Sequence, residues 1–223
     1  MASIPISAPT SEHALVADHA DHAGDHATDH VVEETSTGLN HRKLLMWAFL
    51  GSDCLLFGSL ITTYMVYRGK SVTPPVNPRE VFNIPYTSVS AFVLLMSSLA
   101  MVLALAAIQH GDVRRMRIWL VATAFLGMVF LAGQYYEFTT FVTVKHLTLH
   151  GNIFGTTFYI LTGFHGTHVT VGVIWLLSLV VGSRQGRIKQ ENSLDVEIAG
   201  LYWHFVDIVW IVIFTLVYLV PAV

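Results

Sequence analysis

The chain has 223 residues, of which 53% are hydrophobic and only 12% are charged, and its mean hydropathy is +0.58. Soluble domains carry roughly twice that share of charged residues, so water is not the main solvent of this chain. Its one cysteine excludes a disulfide scaffold. The net charge of −3 shows no basic excess, so nucleic acid is not expected as a partner. The composition indicates an integral membrane protein.

Residues 1–41 differ in composition from the rest of the chain. They contain seven acidic residues and six histidines but no lysine, arginine or apolar run. This composition predicts a disordered acidic and His-rich tail rather than a signal peptide or a packed domain. Alternatively, histidines that alternate with aspartates could capture a divalent metal. These histidines are His19, His22, His26 and His30.

Residues 42–223 are predicted to form one transmembrane domain. A bilayer core of about 30 Å requires a helix of about 20 apolar residues. Backbone polar groups in lipid must also be satisfied within their own helix. Five segments are long enough, so the predicted fold class is an all-α membrane protein, a bundle of five transmembrane helices. The predicted spans are 44–67, 86–109, 118–141, 153–181 and 197–220.

The distribution of lysine and arginine predicts the orientation of this bundle. The segments on the side of the N-terminus hold eight of these residues, whereas the segments on the other side hold four. Positively charged loops remain in the cytoplasm. The N-terminus is therefore predicted to be cytoplasmic and the C-terminus to lie outside.

Ionisable side chains inside the spans are the main candidates for function, because each costs a few kcal/mol in the bilayer and usually faces a partner or a cavity. Asp53 lies near the middle of the first span. It is either a neutral acid bonded to a neighbouring helix or a proton-handling, lipid-facing carboxylate. Glu137 lies near the end of the third span, where an interfacial acid that reaches water is the simpler interpretation. These are the two candidate proton-related carboxyl groups.

Two histidine-containing pairs occur in the fourth and fifth spans. His165 and His168 are predicted to share one helix face, as are His204 and Asp207. The second pair is interpreted as polar contacts, either within the pair or to a neighbouring helix. Haem ligation by two histidines is an alternative. The helical rise argues against it, because it places His165 about 25 Å and His204 about 10 Å from the cytoplasmic ends of their spans.

Glycines recur in the first and fourth spans, where small residues permit close approach of helices. Gly51 and Gly58 lie in the first span, and Gly163, Gly166 and Gly172 lie in the fourth. Neither span contains the H-E-x-x-H spacing of a zinc protease, and the chain has no cysteine pair for a thiolate site. Helix packing accounts for these glycines, and no metal ligand or catalytic residue is predicted.

Two motifs resemble subunit III of the haem-copper respiratory oxidases. They are residues 163–169 (GFHGTHV), followed by Gly172, and residues 202–210 (YWHFVDIVW). Other residues that fall in the family's order and spacing precede these motifs. They are Asn83, Pro85 and Thr87 in and after the Pro-rich loop 68–85, the pair Tyr136 and Glu137, and residues 155–158 (GTTF). The resemblance covers about residues 43–220 and is to the shorter bacterial form of the family, which has five helices.

The resemblance implies a cofactor-free accessory subunit of a proton-pumping terminal oxidase in the bacterial cytoplasmic membrane. The haems and copper would belong to partner subunits. Subunit I would be the direct partner, with subunit II and a small subunit IV as further partners. Phospholipids would bind in a cleft between the first two helices and the remaining bundle. The chain would stabilise subunit I, offer oxygen a hydrophobic route and support proton uptake during aerobic electron transport from cytochrome c to oxygen.

The resemblance also assigns positions to individual residues. Asp53 matches the family's buried carboxylate, which is a glutamate in many cytochrome c oxidases. Residues 52–54 (SDC) are similar to bacterial ubiquinol oxidases, so quinol is the alternative electron donor, and a nitric-oxide-reductase accessory protein is a further alternative. The other matched positions are interpreted as framework and lipid-headgroup contacts. They are Glu137, His165, His168, Glu197, Trp203, His204 and Asp207.

Two alternatives belong to other classes of protein. The first is an independent membrane haem protein, which would ligate haem through its own histidines. The second is a proton-coupled transporter with a relay of Asp53, Glu137 and Asp207. The chain shows no internal repeat and no matching pair of interrupted spans, which are typical of inverted-repeat transporters. The oxidase interpretation is therefore preferred.

Overall fold

The computed structural model describes residues 40–68, 84–143, 153–188 and 193–220, so the predicted N-terminal tail and the Pro-rich loop lie outside the described residues. The described part contains five helices long and apolar enough to cross a membrane. The predicted class, an all-α multi-pass membrane protein, is confirmed. The helices are α1 (His41–Arg68), α2 (Ile84–Gln109), α3 (Val113–Thr143), α4 (Ile153–Arg184) and α5 (Ser193–Phe214), which continues into a π-helical turn (Thr215–Leu219).

Four of the five helices begin earlier than their predicted spans, and the difference is largest for the third and the fifth. The third begins at Val113 rather than at 118, and the fifth begins at Ser193 rather than at 197. The predictions followed the apolar run, whereas a helix continues into polar residues until a cap ends it. The basic residues that were predicted to lie in the loop before the third span therefore belong to the first turns of α3.

The turn between α2 and α3 shows why α3 begins where it does. Gly111 has a positive φ of 78°, and its amide donates to the carbonyl of Ile108. The next amide, of Asp112, donates to the carbonyl of Ala107. This is the glycine-ended pattern that closes a helix. The Asp112 carboxylate then accepts a 2.9 Å hydrogen bond from the amide of Arg115 and caps α3.

Four of the helices form a ring, and α1 lies outside it. In the ring α2 packs against α3, α3 against α4, α4 against α5, and α5 against α2. α1 packs against α4 and α5. Among the described residues, α2 is thus part of the ring, and the cleft expected between the first two helices and the rest is not formed there. The division lies between α1 and the ring.

The centre of the ring is packed around Trp203, whose side chain is 1% exposed. A Cβ atom on Gly127 would lie 2.6 Å from the Trp203 ring, and one on Gly172 would lie 2.9 Å from it. Both positions therefore require glycine, as predicted for Gly172. Within this chain the same prediction was wrong for Gly51, Gly58 and Gly163, where a Cβ would meet no atom within 4 Å.

Ion pairs join α1 to α5 at the end of the bundle where both helices begin. Lys43 lies 2.5 Å from Glu197, and Arg42 lies 2.6 Å from Asp195. The first turns of α3 and the last turn of α4 lie at the same end and supply further arginines. We therefore call it the basic end. Its basic residues on the helices are Arg42, Lys43, Arg114, Arg115, Arg117 and Arg184.

At the opposite end of the bundle, Arg68 joins the last residue of α1 to the end of α5. Its Nη1 donates a 2.8 Å hydrogen bond to the carbonyl of Leu216, and its Nη2 donates to the carbonyl of Val220. These carbonyls lie where the helical ladder ends and lacks further amide donors. Arg68 is 9% exposed, and its guanidinium group caps the π-helical turn.

Candidate functional site: an acid–histidine pair beside an apolar groove

Asp53 of α1 and His168 of α4 form a pair halfway along the bundle. Asp53 is 6% exposed, and its Oδ2 lies 3.4 Å from Nε2 of His168. The other ring nitrogen, Nδ1, lies 2.9 Å from the carbonyl oxygen of Phe164. Because a carbonyl oxygen can only accept, Nδ1 must carry a proton.

The contact between these two side chains is loose. Oδ2 of Asp53 is buried and makes no hydrogen bond of normal geometry within the described residues. The 3.4 Å approach to Nε2 of His168 is therefore a polar contact at ion-pair distance rather than a hydrogen bond. Such a contact still matters, because a carboxyl group buried in apolar surroundings is costly without a polar neighbour.

A groove of about 370 Å³ opens beside the pair, between α1, α4 and α5. Aromatic and aliphatic side chains make up most of its wall. The hydroxyl of Tyr202 donates a 3.0 Å hydrogen bond to the carbonyl of His168, which fixes α5 against α4 at the groove. The chemistry of the wall suits an alkyl chain. The lining residues are Met46, Phe49, Thr167, His168, Val171, Trp175 and Tyr202.

The second acid–histidine pair is arranged differently. Nδ1 of His204 lies 2.6 Å from the hydroxyl of Ser98 on α2. Asp207 is 3% exposed and has Ser98 as a polar neighbour, but neither carboxyl oxygen makes a hydrogen bond of normal geometry within the described residues. Of the two predicted alternatives, His204 thus contacts a neighbouring helix rather than Asp207.

Sequence reasoning missed the polar partners on α2. Ser98 binds His204, and the adjacent Ser97 accepts a 3.0 Å hydrogen bond from Nε1 of Trp203. Two consecutive serines inside an apolar span were the available signal, because a hydroxyl in such a span needs a partner. Their partners could not be read from the sequence.

Glu137 is buried in protein, so the prediction that it is an interfacial acid reaching water was wrong. It is 7% exposed. Its Oε1 accepts a 2.9 Å hydrogen bond from Thr87 of α2, and its Oε2 lies 3.4 Å from the hydroxyl of Tyr218 in the π-helical turn. The carboxyl group thus joins three segments of the ring near the end opposite the basic end.

His165 and His168 do not share a partner, although they were predicted to share a face. His165 is fully buried in the ring, where it stacks on Trp210 with ring centres 4.8 Å apart and meets Phe130 edge-on at 5.9 Å. Its ring therefore packs as an aromatic group. His204 in turn is bonded to Ser98. His165 and His204 therefore have different partners within the described residues.

The predicted site residues therefore lie in separate places. Asp53 and His168 meet at the groove, and Glu197 lies at the basic end with Lys43. The remaining predicted residues face the interior of the ring. Within the described helices, no group of three or more His, Cys, Asp or Glu side chains is placed to hold a metal ion. The remaining residues are Glu137, His165, Trp203, His204 and Asp207.

The fold and these contacts define a multi-pass membrane protein whose buried polar groups mainly join helices. The family model described as "Cytochrome c oxidase subunit III" matches residues 16–221. The chain is 37% identical to cytochrome c oxidase subunit 3 of Bacillus sp. (strain PS3) over 177 residues, which are 79% of this chain and 84% of that protein. It therefore belongs to the cytochrome c oxidase subunit III family.

Relatives with two different names are similar to the chain. Cytochrome c oxidase subunit 3 of Thermostichus vulcanus is 37% identical over 198 residues, covering 88% of this chain and 92% of that protein. Quinol oxidase subunit 3 of Bacillus spizizenii is 34% identical over 202 residues, covering 91% of this chain and 97% of that protein. The predicted resemblance is confirmed. The chain is a subunit of a haem-copper oxidase complex, and this membership implies subunit I as a partner.

Proposed function

We propose that the chain is the non-catalytic, cofactor-free subunit III of a proton-pumping terminal oxidase that transfers electrons from cytochrome c to oxygen. In this proposal it lies in a bacterial cytoplasmic membrane with its N-terminus in the cytoplasm. It contacts subunit I directly and assembles with subunit II and a small subunit IV. The observation that carries the proposal is the apolar groove beside the Asp53–His168 contact.

The groove is proposed to hold a phospholipid chain. Its wall is almost entirely apolar and lies between membrane-spanning helices, so an acyl chain can fill it without burying a polar group. Molecular oxygen is also uncharged and apolar, so the same groove offers it a path out of water toward subunit I.

The site residues are proposed to have two kinds of role. Asp53 is the proton-related carboxyl group that supports proton uptake, since it is buried in the membrane domain and lies 3.4 Å from a second titratable side chain, His168. Glu137 is assigned to the framework, because Thr87 and Tyr218 bind it inside the ring. The other framework positions are His165, Glu197, Trp203, His204 and Asp207.

Cytochrome c is proposed as the donor, and quinol is the alternative. Relatives named for each donor cover most of this chain at similar identity, so the donor must be determined on the complex. Purification of the tagged chain in mild detergent, with identification of every co-purifying polypeptide by mass, makes that determination. Subunit I with a copper-binding subunit II is the expected result. A quinol-type subunit II would show that quinol, not cytochrome c, is the electron donor. A chain that purifies alone and shows a Soret band would overturn the proposal.

The lipid role is tested by filling the groove in the assembled oxidase. Val171 lines the groove and is 51% exposed, so Val171→Trp should occupy it without disturbing the ring. Val89 on α2 is 64% exposed and lies outside the groove, so Val89→Trp is the matched control. Val171→Trp should remove one bound phospholipid per complex and raise the KM for oxygen. Equal lipid content and equal KM in both variants would contradict the proposed role.

A further inference from the structure

We propose that the outer face of α3 and α4 binds one anionic phospholipid, whose phosphate is held at the basic end by Arg114, Arg117 and Arg184. This site is separate from the groove beside His168, because α1 and α5 contribute nothing to it. A pocket of about 450 Å³ carries the inference. Besides the three arginines, its lining residues are Ile118, Val121 and Val180.

The three arginines lack carboxylate partners in the part of the chain that the structure describes. Other arginines of the same end are paired, since Arg115 lies 3.1 Å from Asp112 and Arg42 lies 2.6 Å from Asp195. Three guanidinium groups around one pocket repel each other. An anion in the pocket removes that repulsion and pairs with groups whose planar geometry matches a phosphate.

The helix that supplies two of these arginines adds to the positive potential. The first turn of a helix carries exposed amides and a partial positive charge. α3 has no acidic residue within that turn, although Asp112 just before it binds the amide and the guanidinium of Arg115 and offsets part of this charge. Arg114 stands in that first turn, where a cation is unfavourable unless an anion is bound. Nε of Arg117 donates a 3.3 Å hydrogen bond to the carbonyl of Val113, which orients its guanidinium and leaves both Nη groups for a ligand.

The surface next to the arginines identifies the ligand as a lipid rather than a free anion. Ile118 and Val121 on α3 are 58% and 44% exposed, and Val181 on α4 is 54% exposed. Half of a bilayer core is about 15 Å thick, which corresponds to about ten residues of helix. Over that length the face continues with exposed apolar side chains. These are Phe125, Met128, Ile174 and Leu177.

The test uses the purified oxidase complex, stripped of lipid and titrated with phosphatidylglycerol or phosphatidylcholine. Native mass spectrometry then counts the lipids that remain bound. The double variant R117Q/R184Q removes two charges of the pocket, and R42Q/R115Q removes two charges of the same end outside it. We expect the Kd for one phosphatidylglycerol to rise about thirtyfold in the first variant only. An equal rise of the Kd in both variants, or equal binding of the two lipids, would overturn the proposed site.

A second variant keeps the test decisive if the charge changes disturb assembly. Val121→Trp blocks the apolar part of the pocket and leaves every charge in place, and Val89→Trp is again the control. The lipid site predicts that Val121→Trp weakens phosphatidylglycerol binding. It also predicts that millimolar inorganic phosphate does not displace the lipid. Displacement by phosphate, together with unchanged lipid binding in Val121→Trp, would show a soluble-anion site and overturn the lipid assignment.

Discussion

The interior of the ring and the seam between α1 and the ring are held together by different kinds of contact. Inside the ring, Trp203 fits against Gly127 and Gly172, and Trp210 packs against Phe130 and His165. Along the seam, ion pairs join α1 to α5 at the basic end, Arg68 joins them at the other end, and Asp53 meets His168 between them.

This difference shows where each kind of contact is effective in a membrane. Lipid is as apolar as a protein core, so helices gain little from hydrophobic burial and depend on close packing. The ring achieves close packing through glycines at Trp203. The seam is packed less closely, which leaves room for the groove. Polar contacts hold α1 beside that groove without closing it.

The largest expected effect is a loss of stability inside the ring of helices. Trp203→Ala should lower the free energy of unfolding by about 3–5 kcal/mol, because it removes a fully buried indole and leaves a cavity. It also leaves the hydroxyl of Ser97 without the indole donor. Subunit III should be missing from the purified complex, as measured by subunit stoichiometry. Trp47→Ala is the control, because Trp47 is 56% exposed, and it should assemble normally.

The five helices could be predicted from the sequence. An apolar run of about 20 residues in a membrane is almost always a helix, because its backbone polar groups must be satisfied within the segment. The helix ends were less well predicted, because caps such as Asp112 set them beyond the apolar run. Gly111 followed by Asp112 was a readable signal for that turn, and it was missed.

The arrangement of the helices could not be predicted from the pattern of apolar residues. A helix with lipid on one side and protein on the other is apolar on both, so its periodicity does not mark the buried face. His165 and His168 therefore looked alike, although one packs inside the ring and the other faces α1. The position of α1 outside the ring was hidden for the same reason.

The second largest effect is expected at the end of the seam where Arg68 binds the end of α5. Arg68→Met keeps much of the apolar stem but leaves the carbonyls of Leu216 and Val220 without the guanidinium. Each unsatisfied buried carbonyl costs about 1–3 kcal/mol, so subunit III should leave the complex at a clearly lower temperature. Arg115→Met is the control at an exposed pair and should shift that temperature little. Equal shifts in the two variants would mean that the cap does not hold the seam.

A smaller effect is expected in the middle of the seam. In Asp53→Asn the amide keeps the size of the side chain and can donate to Nε2 of His168, so a polar contact between α1 and α4 is retained. We expect normal subunit stoichiometry and normal initial turnover, with a change in stability below about 1 kcal/mol. Proton uptake measured over many turnovers is where a difference should appear. Loss of subunit III from the complex would instead make Asp53 a structural requirement of the seam.

The smallest effect is expected from Lys43 and Glu197 at the basic end. Their side chains are 30% and 35% exposed, so water weakens their attraction. A double-mutant cycle with Lys43→Met and Glu197→Gln should give a coupling of about 0.2–1 kcal/mol, measured as urea-induced release of subunit III. Raising the ionic strength to about 1 M shortens the screening length to about 3 Å and should reduce that coupling. A larger, salt-independent coupling would mean that this pair is dry, and that the seam is closed at the basic end as tightly as the ring is packed at Trp203.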